Sequence, residues 1–317
     1  MQMRKVGKSD LAIAPVMLGG NVFGWTADEA TSFRILDAFL DAGFNSIDTA
    51  DVYSMWAPGH KGGESETVLG NWFAARGNRD KVVLATKVGI LPIDGKDGLS
   101  KDHITAAVEA SLTRLKSDYI DIYFAHRDDE NTPLEETLDA FAGLVKAGKV
   151  RVIGASNYSA ARLGEALAIS AKKSLPRYEI LQPLYNLVER AAFEGELEAV
   201  CRDNQVGVVP YFALAAGFLT GKYRSKADLG KSPRGARGME KYLEGRGMEV
   251  LAALDSVAAR YSATPAQVAV AWLIAKPAIT APIASATSLA QLDDLIAAAR
   301  LDLDRDAVAE LDAACAP

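Results

Sequence analysis

The stretch Phe44–Ser54, FNSIDTADVYS, opens as an apolar strand and closes as a polar loop. It carries Asp48, Asp51 and Tyr53 at the point where the strand gives way. A segment that only packs has no need of a carboxylate and a phenol five positions apart. The reading therefore turns on whether other strands end in the same way.

They do, at regular intervals. The strand-like runs are VMLGG (16–20), FNSID (44–48), KVVLATK (81–87), YIDIYFAH (119–126), VRVIGAS (150–156), ILQPLY (180–185), GVVPYF (207–212) and ITAPIAS (279–285). Helical patterns separate them near 28–41, 64–75, 101–116, 135–147, 159–172 and 193–204. Two more, near 247–261 and 265–275, precede the last strand, and 288–299 follows it. Either Ser100 or Asp102 suits the N-cap of the third helix, and Thr132-Pro133 and Thr264-Pro265 mark two later starts. Eight strands alternating with helices read as an α/β fold, a (β/α)8 TIM barrel in one domain spanning 1–317. A doubly wound open sheet shares that periodicity. Residues 217–246, GFLTGKYRSKADLGKSPRGARGMEKYLEGR, are Gly-rich and basic and too long for a plain connection. They read as a functional loop after the seventh strand. LDRDAVAELDAACAP reads as an extra C-terminal helix on the outside.

Composition narrows the function. The chain has 317 residues, 49% apolar and 24% charged, with a net charge of -6 and no basic run. Nucleic acid and anionic membranes are therefore not expected as partners. No apolar leader and no run of eighteen apolar residues appears, so neither export nor a membrane span is expected. Cys201 and Cys315 are expected as free thiols in a reducing cytoplasm. His60, His103 and His126 have no ligand-like spacing, so no metal site is expected. There is no P-loop, no G-x-S-x-G and no G-x-G-x-x-G, so a nucleotide cofactor would be held by some other device.

The strand ends then assemble a site. A barrel of this kind does its chemistry at the C-terminal mouth of its strands. The second strand ends in Asp48 with Tyr53 just beyond it, the third in Lys87, the fourth in His126 and the fifth in Ser156 and Asn157. The sixth carries Gln182 and the seventh Tyr211. Taken singly, each has a plain structural reading: a turn-capping Asp, a packing Tyr, a snorkelling Lys and a satisfied core His. Their convergence on one mouth is what points to catalysis. A phenol is a weak acid at neutral pH, and a neighbouring lysine is expected to lower its pKa by stabilising the phenolate. With Asp48 holding the lysine and His126 orienting a carbonyl, Tyr53 becomes a general acid for reduction or a base for oxidation. Such a site needs a hydride partner. A Schiff-base lyase built on Lys87 is a separate reading of the same residues.

The motifs GFNSIDTADVY, LATKVG, DIYFAH, AGKVRVIGASNYS, LQPLYN and VVPYFALAAGFLTGKY together resemble the aldo-keto reductase family over nearly the whole chain. The resemblance implies a carbonyl reductase or alcohol dehydrogenase using NADP(H), with Asp48, Tyr53, Lys87 and His126 as catalytic residues. It assigns Ser156, Asn157 and Gln182 to the carboxamide, Tyr211 to the nicotinamide face, and Leu214 and Gly217 to the pyrophosphate. Gly20 and Asn21, at the end of the first strand, join the cofactor set. Some members of the family are cofactor-binding regulatory subunits of a channel, which leaves a binding module open.

At the adenosine end, Ser285, Thr287, Gln291, Asp294 and Leu295 include no cation. In one branch of the family the loop after the seventh strand supplies the charge, and here Lys222 and Arg237 are its counterparts. They make NADP(H) the expected cofactor, with NAD(H) open. Trp56, in the loop WAPGHKGG (56–63), and Trp25, in the first loop, are expected to line the substrate pocket, and Trp72 to be packing. The substrate is a small carbonyl or alcohol whose identity the residues leave open, as they do the oligomeric state.

Overall fold

The chain starts with an unanticipated antiparallel hairpin, β1 (Arg4–Lys5) and β2 (Ala12–Ile13). It was found in the computed structural model, which describes residues 1–231 and 239–315. Arg237 lies outside the described residues.

The barrel follows. Its strands are β3 (Met17–Gly19), β4 (Ser46–Asp48), β5 (Val83–Val88), β6 (Ile120–Ala125), β7 (Val150–Ser156), β8 (Tyr178–Gln182), β9 (Gly207–Val208) and β10 (Ile283–Ala284). They form one eight-stranded sheet, each paired in parallel with the next, and β10 returns to pair with β3. The ring closes between β9 and β10, where Thr280 N donates to Val208 O at 2.8 Å and Ile283 N to Pro210 O at 2.9 Å. Six of the eight fall within their expected runs; β5 extends one residue past its run, to Val88, and β8 begins two residues before its run, at Tyr178. The last two are shorter than expected because Pro210 and Pro282 have no N–H to give the ladder.

The helices are α1 (Glu29–Asp41), α2 (Glu64–Arg76), α3 (Lys101–Leu115), α4 (Leu134–Lys146), α5 (Ala160–Lys173), α6 (Glu196–Asn204), α7 (Arg246–Tyr261), α8 (Pro265–Ala275), α9 (Leu289–Ala298) and α10 (Arg305–Ala314). Ser100 is the cap of α3, and Thr264 forms a capping box with Gln267 on α8. Thr132 does not cap α4: its hydroxyl donates to Asp129 and Pro133 takes the cap position. The main core lies between sheet and helices, with Trp72, Trp272, Phe141 and Tyr178 fully buried in it. The Trp72 indole donates to Asp37 at 2.8 Å, as befits a packing residue. Both cysteines are buried and free.

A second core fills the barrel interior. It contains Met17, Ala85, Ile122, Phe124, Val152, Ile180, Val209, Ala281 and Ile283, together with Val6, Leu11 and Ile13 from the hairpin segment. Strand geometry has a period of two, so the residue two places on from each of these faces inward as well. Ala85 is thus followed by Lys87, Phe124 by His126, Ile180 by Gln182, Val209 by Tyr211 and Ile283 by Ser285. On β7 the series runs Val152, Gly154, Ser156, and a Cβ on Gly154 would lie 2.5 Å from the Phe124 ring. The absent side chain there is the space that Phe124 fills. The apolar layers thus end in a polar layer at the C-terminal mouth.

Candidate active site

At the floor of the mouth four polar groups lock together. Lys87 Nζ donates to Asp48 Oδ2 at 2.7 Å, to the Thr49 carbonyl at 2.7 Å and to the Tyr53 hydroxyl at 2.8 Å. The Tyr53 hydroxyl in turn donates to Asp48 Oδ2 at 3.0 Å. Lys87 is completely enclosed and Asp48 nearly so. All three ammonium protons are committed and Lys87 is enclosed beneath Tyr53, an arrangement that favours a supporting role for the lysine over a Schiff base. The His126 ring stands edge-on to Tyr53, with centroids 6.1 Å apart.

Electrostatics sort these groups. Burial, and next the Asp48 carboxylate, hold the Tyr53 phenol well above its ordinary pKa. This reverses the expectation that Lys87 would set a lowered value: at rest the phenol is firmly protonated. Burial also lowers the Lys87 ammonium, with Asp48 opposing it. His126 is held well below the usual histidine range by burial, then by Lys87 and Arg127. Its imidazole is neutral at neutral pH and keeps one N–H and one bare nitrogen.

From this floor a cleft of about 720 Å³ runs toward the start of α9. Among the residues expected for the site, Asn21, Asp48, Tyr53, Trp56, His126, Ser156, Asn157, Gln182 and Tyr211 line it. So do Leu214, Gly217, Lys222, Ser285, Thr287, Gln291, Asp294 and Leu295. The Tyr211 hydroxyl donates to Asn157 Oδ1 at 2.8 Å, and the Asn157 amide donates to the His126 carbonyl and the Ser156 hydroxyl. Gln182 does more than line the wall, because its amide donates to Asp48 Oδ1 at 2.9 Å.

Two expectations are corrected. Gly20 is not on the cleft wall: it lies against the Asp48 carbonyl, which a Cβ would approach to 2.9 Å, and so sets the distance between β3 and β4. Trp25 is also off the wall, edge-on behind Trp56 at 5.6 Å. Lys87 stands beside the Tyr53 phenol, as expected, and reaches it from beneath. Conversely, Thr26, Ile90, Phe212, Thr220 and Thr264 line the cleft without having been singled out. Thr264 was legible only as a helix cap, and the single signal for Ile90 was its place just past the Lys87 strand.

The loop after β9 shows which cation is available. Arg224 pairs with Asp255, Lys226 with Glu240, Lys231 with Asp228 and Lys241 with Glu189. Lys222 forms no ion pair among the described residues and faces the cleft.

An eightfold barrel whose mouth gathers Asp, Tyr, Lys and His beside a long cleft defines a class of oxidoreductase. The chain belongs to it: a profile of the aldo/keto reductase family matches residues 15–316. It is 36% identical over 313 residues to a Bacillus subtilis protein named uncharacterized oxidoreductase YrpG, covering 96% of this chain and 93% of that one. It is 32% identical over 304 residues to a probable voltage-gated potassium channel subunit beta of Arabidopsis thaliana, with 93% and 90% covered. Over 326 residues it is 30% identical to aldo-keto reductase yakc [NADP(+)] of Schizosaccharomyces pombe, with 98% and 91% covered. No helix of the described residues is long and apolar enough to cross a membrane.

Proposed function

We propose that this protein reduces an aldehyde or ketone to an alcohol, or runs the reverse, with NADP(H) as its partner and Tyr53 as general acid or base. The observation that carries this reading is the Tyr53 hydroxyl, 2.8 Å from a buried ammonium and 3.0 Å from a carboxylate, at the floor of an open cleft.

The cleft residues fit a dinucleotide. The Tyr211 ring is half-buried and fixed through its hydroxyl, offering a flat wall. Ser156 and Asn157 stand beside it, and Lys222 is left over for an anionic group. These residues would hold a dihydronicotinamide, whose chemistry would be to supply the hydride, with its electron pair, for the carbonyl carbon. The carbonyl oxygen takes the Tyr53 proton as the C=O π bond opens. Tyr53 must turn its O–H from Asp48 toward the substrate for this. The resulting phenolate keeps the Lys87 bond and recovers a proton from water in the cleft. His126, neutral, donates its N–H to the same oxygen and fixes its direction. Asp48 holds Lys87 in place and is itself held by Gln182.

The name of the channel-subunit relative supports a second reading, a cofactor-binding module without turnover. The intact Tyr53, Lys87 and His126 favour the enzyme. Fluorescence titration with NADPH and NADH, followed by a panel of carbonyl compounds, tests both. Tight NADPH binding with turnover supports the enzyme; binding without turnover of any carbonyl sinks it in favour of the module.

A further inference from the structure

We propose that the Tyr53 end of the cleft takes an uncharged aldehyde or ketone bearing an aromatic or similarly flat apolar group, and rejects phosphorylated and carboxylated carbonyl compounds. This rests on the carbonyl-reduction reading above.

The wall nearest the acid is an indole. Trp56 lies with its ring centroid 6.0 Å from that of Tyr53, and Trp25 braces it from behind, edge-on at 82°. Trp56 is nonetheless 38% exposed, so a large apolar face is held open beside the reacting oxygen. Val22 and Ile90 continue that surface. Phe212 adds another apolar residue to the cleft lining and is 51% exposed. It is held in the left-handed region at φ 57, where a bulky residue is strained, and its carbonyl is fixed by Asn186 at 3.0 Å. Strain kept at a cleft wall marks function more often than packing. Rigid aromatic walls favour flat apolar guests.

Charge supplies the exclusion. Lys222 is the one lysine or arginine among the described lining residues, and it belongs to the loop after β9, away from the Tyr53 floor. Lys87 is enclosed and committed. Arg127, next to His126, is tied to Asp97 at 2.6 Å. Burial holds His126 neutral, and Asp48 and Lys87 are paired with each other, so this floor offers no free positive charge. A phosphate or carboxylate would lose water here and gain no cation from the described residues of this floor.

The test sets a size-matched neutral and anionic pair beside a phosphorylated aldehyde. Steady-state rates of the full chain with NADPH are measured on 4-methylbenzaldehyde, 4-carboxybenzaldehyde and glyceraldehyde 3-phosphate. The expected kcat/KM is at least about thirtyfold higher for the methyl compound than for either anion. Trp56→Ala should raise the KM for 2-naphthaldehyde about tenfold while kcat changes less than about threefold. Ile90→Arg should narrow the gap between the methyl and carboxy compounds. An anion turned over as well as its neutral partner, or an unmoved KM in Trp56→Ala, overturns the proposal. NADPH binding measured without substrate separates the two levels. If NADPH binds and an anion wins, only this inference falls. If NADPH does not bind and no carbonyl turns over, the reductase reading falls and takes this one with it.

Discussion

Gln182 donates its side-chain amide to Asp48 Oδ1 at 2.9 Å, across 134 residues of chain. The bond helps fix a carboxylate whose two oxygens both meet the Lys87 ammonium at 2.7 Å and whose Oδ2 also accepts from Tyr53. The geometry of the phenol is therefore set from the opposite side of the barrel. Replacing Tyr53 by Phe deletes the proton donor and keeps the ring. Turnover should fall about 10²–10⁴-fold while NADPH affinity stays within about threefold. Single-turnover rates and fluorescence titration read the two separately, and full turnover in the variant would remove Tyr53 from the role.

The pH profile of reduction follows from the direction of the Tyr53 shift. Burial and Asp48 raise the phenol above its ordinary value of 10.0, so the donor stays protonated throughout the neutral and mildly alkaline range. The kcat/KM for reduction should not fall between pH 7 and about 9.5 through loss of this proton. A descending limb centred near pH 8 would mean that a different group is the acid.

Lys222 is predicted to read the charge that distinguishes NADPH from NADH. A charge-assisted bond lost from a partly exposed site is worth about 1.5–3 kcal/mol. Lys222→Ala should raise the NADPH dissociation constant about 10–100-fold and that of NADH less than about threefold. Equal losses for both would place Lys222 elsewhere on the dinucleotide.

Asp51 is buried, its Oδ1 finds no hydrogen-bond partner among the described residues, and its carboxyl is raised well above 3.8 by burial and then by Glu66. With the folded pKa above the unfolded one, the stability held by the protonated form is complete below pH 3.8 and lost as pH rises through the folded value. Asp51→Asn keeps the shape without the charge. It should match the parent near pH 4 and exceed it by about 1–3 kcal/mol at pH 8. Urea unfolding at both pH values checks the sign, and a variant weaker at pH 8 refutes it.

Gly154→Ala should weaken the barrel. The new methyl would meet the Phe124 ring at 2.5 Å and Ile180 at 2.8 Å, inside a packed interior. Overpacking of this kind costs about 1–3 kcal/mol. A lowered melting temperature is expected, with the Phe124→Leu partner change recovering part of it.

All eight barrel strands were legible because β-branched runs ending in a polar residue recur in order. The hairpin β1–β2 was not, since two-residue strands leave no period to read. Lys87 shows where single residues mislead: alone it looks like a surface lysine, yet it follows the inward-facing Ala85 by two and is fully enclosed. The alternation held the answer. Trp25 and Gly20 were drawn to the cleft by proximity in the chain, but sequence distance does not say which side of a loop a ring or a backbone will face. The direction of the Tyr53 shift could not be read either, because it depends on burial, which is a property of the assembled mouth.

The seam of the ring joins Met17 to Ile283 in register. During synthesis, then, β3 leaves the ribosome early and waits for its last neighbour until almost the entire polypeptide has been made. Until residue 283 has been made, β3 lacks the partner that completes its pairing, and an unpaired strand is the kind of edge that other chains adhere to. The length of that interval sets how long such edges stay open to other chains. Slowed elongation or a stall before residue 283 lengthens it, and holdase chaperones that shield strand edges shorten its harm.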